Sequence, residues 1–167
     1  MDLRRTMVEG CDRQRCRIGS RLAPGMHGSG PERHRGPLSV WRRRDPASLT
    51  GNDLSRLLRL VGSTAMWGEP RWTAARRGDP AAAIAVALDH VRRCGADSTA
   101  SDLAMCNLVL LAAAGDATAP VVIAHALAAL ARRRPGDAAL PALAAGWIRR
   151  PPPGRAVHGR RPRRRQG

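Results

Sequence analysis

The amino-acid sequence predicts an all-α protein: a small bundle of four to five helices arranged as hairpin pairs, flanked by basic, disordered N- and C-terminal tails. Three observations point there. Apolar residues recur at helical spacing between positions 49 and 148, and each run is closed by a cap residue at its start and by Gly, Arg or Pro at its end. The charge sits at the ends of the chain. Residues 1–48 hold eleven Arg against five acids, residues 49–131 hold seven of each, and residues 132–167 hold eleven Arg against Asp137 alone. The expected organisation is a disordered basic leader over 1–48, a helical domain over 49–150 and an Arg/Pro-rich tail over 151–167.

The leader has scattered large apolar side chains, including Ile18, Leu38 and Trp41, without a sustained period, and Gly and Pro interrupt it often. Order begins at Leu49. Thr50 and Asn52 offer N-caps, and Leu54, Leu57, Leu58 and Val61 share one helical face before Gly62. Trp67 and Trp72 are expected to cover one end of the core, with a short helix near 70–77. Asp79-Pro80 opens the next helix, because Pro at the first helical position has no N–H to leave unpaired. Its apolar face is expected at Ile84, Leu88 and Val91, with Gly95 as the stop.

Ser98 or Ser101 caps a helix running to about Ala114 whose residues leave almost no polar face, so it should be buried on most sides. Asp116 or Thr118 opens a helix with Ile123, Leu127 and Leu130 as its stripe, ended by Arg132-Arg133-Arg134-Pro135-Gly136. Asp137 opens the last helix, where Leu140, Leu143 or Ala144, and Trp147 share a face before Pro151-Pro152-Pro153. A weak echo with a period of about 40 residues links the two central hairpins.

Composition narrows function by exclusion. Four Cys are too few for a disulfide scaffold in a chain of 167 residues, and reduced thiols are expected. The most apolar stretches are too short to span a bilayer, which needs roughly 20 residues, so a cytoplasmic protein with no membrane insertion is expected. The one metal-like spacing is Cys11, Cys16, His27 and His34. The two His are too far apart for a finger and no small core surrounds them, so no structural zinc is expected. Cys94 and Cys106 read as small buried hydrophobes, and His125 as a structural histidine. Asp53, Asp79, Asp116 and Asp137 are accounted for as caps or dipole partners, which leaves no paired acid–base site. No motif calls for a cofactor, and no enzyme is expected.

The arginine blocks remain. Guanidinium groups hold phosphate in forked pairs and stack on bases. Trp41 with Arg42, Arg43 and Arg44, and the block Arg160, Arg161, Arg163, Arg164 and Arg165, are therefore the candidate contacts to nucleic acid or another polyanion. The helical domain is free to engage a protein partner. Two further readings compete: a helical adaptor or oligomerisation protein whose tails are inert, and, for residues 1–48 above all, a GC-rich frame never selected as protein. A chain with 29 basic residues, no Phe and no Tyr fits GC-rich coding in either case.

Overall fold

The structure is a computed structural model that describes residues 18–19 and 36–149. Six α-helices follow in order: α1 (Gly51–Ser63), α2 (Trp72–Arg76), α3 (Pro80–Cys94), α4 (Thr99–Ala113), α5 (Thr118–Arg133) and α6 (Ala139–Arg149). Two 3-10 helices, Pro37–Arg42 and Pro46–Ser48, precede them.

Helix α4 decides the layout. Its run of Leu, Val, Met, Cys and Ala offers no polar face, so the arrangement that removes most apolar area from water surrounds it. Helices α1, α3, α5 and the first 3-10 helix all pack on it, while α6 packs on α5 and α2 on α3. Leu103, Met105, Leu108 and Val109 of α4 meet Val86 from α3 and Ile123 and Leu127 from α5 in one continuous core. Burying each such side chain stabilises the fold by about 1.5–3 kcal/mol. The all-α bundle thus keeps the hairpin pairs α3–α4 and α5–α6 and gathers them around the central helix α4.

The helix ends follow the local chemistry. Thr50 and Asp53 form a reciprocal capping box on α1, with the Asp53 amide donating to the Thr50 hydroxyl and the Thr50 amide donating to the Asp53 carboxylate. Asp79 caps α3 through the Ala82 amide, and Ser98 caps α4 through the Ser101 amide. Asp116 accepts from the amides of Thr118 and Ala119 at the start of α5. Gly95, at φ 81°, makes the sharp exit from α3 that a side chain would strain.

Four expectations are corrected. The boundary at residue 48 is too late, because the segment 37–48 packs into the bundle. Its 3-10 geometry puts Leu38 and Trp41 three residues apart on the inward side, a spacing that neither the α nor the β period detects. In α3 Ile84 and Val91 pack partly buried against the core as expected, but Leu88 is exposed and the fully buried positions are Ala83, Val86 and Ala87, whose small side chains let α3 approach α4 closely. Trp72 is buried and donates its indole N–H to the Thr64 carbonyl, whereas Trp67 is 70% exposed and covers nothing. Leu58, expected on the inner face of α1, is likewise exposed. One short strand pair also forms, β1 (Ile18–Gly19) with β2 (Ala65–Met66), antiparallel, with Ile18 opposite Met66. The quartet Cys11, Cys16, His27 and His34 and the expected tail over 151–167 lie outside the described residues.

Candidate anion-binding cleft

Three consecutive arginines follow Trp41, and the 3-10 turn separates them. With three residues per turn, positions 39 and 42 share one side, 38 and 41 a second, and 40 and 43 the third. Ser39, Trp41 and Arg42 are buried, whereas Arg43 is exposed.

The inward pair is spent on the core. Arg42 is 6% exposed and grips Asp102, in the first turn of α4, with two parallel bonds: Nε to Oδ1 at 3.0 Å and Nη2 to Oδ2 at 2.7 Å. The Trp41 indole N–H donates to Asp102 Oδ1 at 2.9 Å, and the Trp147 indole N–H donates to the Trp41 carbonyl at 3.1 Å. The Cys106 thiol donates to the Leu38 carbonyl. Burial, with Asp102 nearby, pushes that thiol's pKa up, so it stays protonated and unreactive. This network fastens the segment 37–42 to α4 and α6. It also removes Trp41 and Arg42 from the expected nucleic-acid contacts, because an indole with 0% exposure presents no face to a base.

Arg43 and Arg44 remain on the surface. With Arg56 of α1 they border a concavity of about 260 Å3 whose walls include Pro37, Ser39, Val40 and Leu57. Among the described residues its one acid is Asp53, and the Oδ2 of that carboxylate is committed. Its Oδ2 accepts from the Thr50 hydroxyl at 2.7 Å, the Thr50 amide at 3.0 Å and Arg44 Nη1 at 3.0 Å. Those Thr50 bonds, reinforced by the charges of Arg44 and Arg56, hold the Asp53 carboxyl below its usual range despite some burial. Among the described residues neither Arg43 nor Arg56 has an ion-pair partner. Arg56 escapes the sequence reading because it stands alone, three residues after Asp53, on what looks like an ordinary solvated helix face. Arg160, Arg161, Arg163, Arg164 and Arg165 lie outside the described residues.

A second polar cluster joins the turn before α2 to α3. Glu69 is buried, accepts from Arg71, and lies 3.7 Å from His90 Nε2 and 3.6 Å from Arg93. Arg71 also bonds Asp89. Burial opposes ionisation of Glu69, but the Arg71 hydrogen bonds outweigh it and keep its pKa low. Burial lowers the His90 pKa, with the Glu69 charge opposing. Neither ring nitrogen of His90 has a hydrogen-bond partner among the described residues. The arginine-held carboxylate of Glu69 and the half-buried imidazole thus tie the turn before α2 to α3. Cys94 is disulfide-bonded, contrary to the expectation of reduced thiols, and Cys106 is free. His125, expected to be structural, is exposed on α5. Among the described residues no group of three or more His, Cys, Asp or Glu is placed to hold a metal ion, and no helix is long and apolar enough to cross a membrane.

No protein-family model, no curated protein and no solved structure matches this chain.

Proposed function

We propose that the protein is a non-enzymatic interaction module that holds nucleic acid, or another polyanion, without sequence preference. One observation supports this above the rest: three arginines border a cleft whose only acid among the described residues is already engaged, so positive charge is left uncompensated at one place on an otherwise mixed surface. The cleft would work with the arginine blocks at both ends of the chain, which add most of the net charge of +16. Binding of this kind comes from counterion release, so log affinity falls linearly with log salt. Measuring affinity for single-stranded and duplex oligonucleotides across a salt series tests it. A steep slope with little dependence on sequence is expected, and deleting 154–167 should flatten it. No affinity at low salt would rule out polyanion binding.

A protein-binding role is the second reading, supported by a different surface. Exposed Val121 and Ile148 line a concavity of about 320 Å3 with Pro120 and Trp147. If Val121→Glu/Ile148→Glu changes the molecular mass measured by light scattering while nucleic-acid affinity is nil, the helical-adaptor role takes precedence.

A further inference from the structure

We propose that the cleft between the first 3-10 helix and α1 is a site for a phosphate monoester dianion, held by Arg43 and Arg56, and that on a nucleic acid its ligand is the terminal phosphate of a strand. This rests on polyanion binding and gives it a chemical target.

Charge counting carries the first step. Arg44 bonds Asp53 and Arg56 also feels that carboxylate, but three guanidinium groups against one acid leave a surplus near +2, and neither Arg43 nor Arg56 has an ion-pair partner among the described residues. Two free guanidinium groups at one concavity match a charge near −2. A phosphate monoester carries about −1.5 to −2 at pH 7, while each phosphodiester of a strand interior carries −1. Each guanidinium offers a planar fork of donors, and a monoester presents three terminal oxygens to receive them.

Shape carries the second step. A volume of about 260 Å3 suits a phosphate with its neighbouring sugar and water rather than a duplex. Val40 and Leu57 add apolar surface beside the guanidinium groups. The site's backbone is fixed by independent means. Arg43 follows residues pinned to Asp102, and Arg56 stands on a helix whose start is locked by the Thr50–Asp53 box. A ligand therefore meets two guanidinium groups mounted on rigid elements, and loses little free energy to ordering the backbone.

The test uses the full chain, the double variant Arg43→Ala/Arg56→Ala, and the charge-matched control Arg132→Ala/Arg133→Ala at the end of α5. Two probes separate the sources of the phosphate. The first is inorganic phosphate, read as a rise in melting temperature over chloride at equal ionic strength. The rise should be smaller in Arg43→Ala/Arg56→Ala than in the parent and the control, which share any general salting-out effect. The second is a pair of single-stranded oligonucleotides of one sequence, one with a 5′-phosphate and one with a 5′-hydroxyl. The full chain should bind the phosphorylated strand about tenfold more tightly, and Arg43→Ala/Arg56→Ala should bind both alike. Equal affinity for the two strands would overturn strand-end recognition while leaving non-specific polyanion binding intact. If neither strand binds but inorganic phosphate protects the parent and not Arg43→Ala/Arg56→Ala, polyanion binding is wrong and the cleft is a small-phosphate site. Equal protection of parent, variant and control would overturn the site itself.

Discussion

Arg42 and Arg43 are neighbours in one 3-10 helix, yet one belongs to the interior and the other to the surface. Around Arg42 a single carboxylate, Asp102, takes two bonds from the guanidinium and one from the Trp41 indole, so charge and donors balance within a sealed space. Around Arg43 there are two further arginines and one acid already in use, so donors exceed acceptors in a space open to water. The two regions contain the same residue types. What separates them is the ratio of cations to acids and the access of solvent. A balanced buried pair specifies how elements dock. An unbalanced exposed group has to find its counter-charge in solution, and that makes it a binding surface.

The largest expected effect breaks the interior region. Asp102→Ala leaves the Arg42 charge buried and the Trp41 N–H without an acceptor, and should cost about 3–5 kcal/mol in urea unfolding. The paired change Arg42→Met/Asp102→Leu should cost far less than the sum of the single changes, because it removes both charges together. Strict additivity would show that the two side chains do not act as a pair.

A smaller effect is expected at the outer edge of the same network. Trp147→Phe keeps most of the ring volume but removes the donor to the Trp41 carbonyl. Destabilisation of about 1–3 kcal/mol is expected for a buried acceptor left unpaired. An unchanged urea midpoint would mean that packing alone holds α6 against the segment 37–42.

The pH response sharpens the contrast with the cluster that joins the turn before α2 to α3. His90 has a lowered pKa in the fold, so its contribution is complete above the unfolded value near 6.5 and declines as pH falls from there toward the folded value. Glu69, Asp53 and Asp89 also have lowered pKa values, and their contributions persist to lower pH, fading below roughly 4 as they protonate. Urea midpoints should thus show a first decline below pH 6.5 that His90→Gln removes, followed by a second that it leaves in place. A midpoint independent of pH between 7.5 and 5 would contradict the burial of a neutral imidazole. At the small end, Trp67→Ala should change stability by no more than about 0.5 kcal/mol, since that ring lies in solvent.

Much of the helical framework was legible because capping chemistry is local. Thr50, Asp79, Ser98 and Gly95 act within a few residues of where they stand, so the sequence around each is enough. The all-round burial of α4 was legible from its lack of polar residues. The face of α3 was legible only in part: Ile84 and Val91 pack on the core, but Ala is compatible with either side and the large Leu88 drew the expected stripe away from Ala83 and Ala87. The segment 37–48 was hidden by its 3-10 geometry and by its dependence on Asp102, some 60 positions later in the chain. The cleft was half visible. Arg43 and Arg44 stood out as part of a run, but Arg56 joins them only through the packing of α1 beside the first 3-10 helix. Nothing in the letters RRR distinguishes Arg42 from its neighbours.

The most direct measurement compares Arg42→Ala with Arg43→Ala by equilibrium urea unfolding under identical conditions. Loss of Arg42 leaves Asp102 buried with only the Trp41 N–H as its partner, and should lower stability by about 3 kcal/mol or more, a fall of at least about 1 M in the midpoint. Loss of Arg43 removes an unpaired surface charge, and the midpoint should stay where it is or rise slightly. Equal midpoints for the two variants, or a larger fall for Arg43→Ala, would contradict the division of these adjacent arginines into interior fastening and open binding surface.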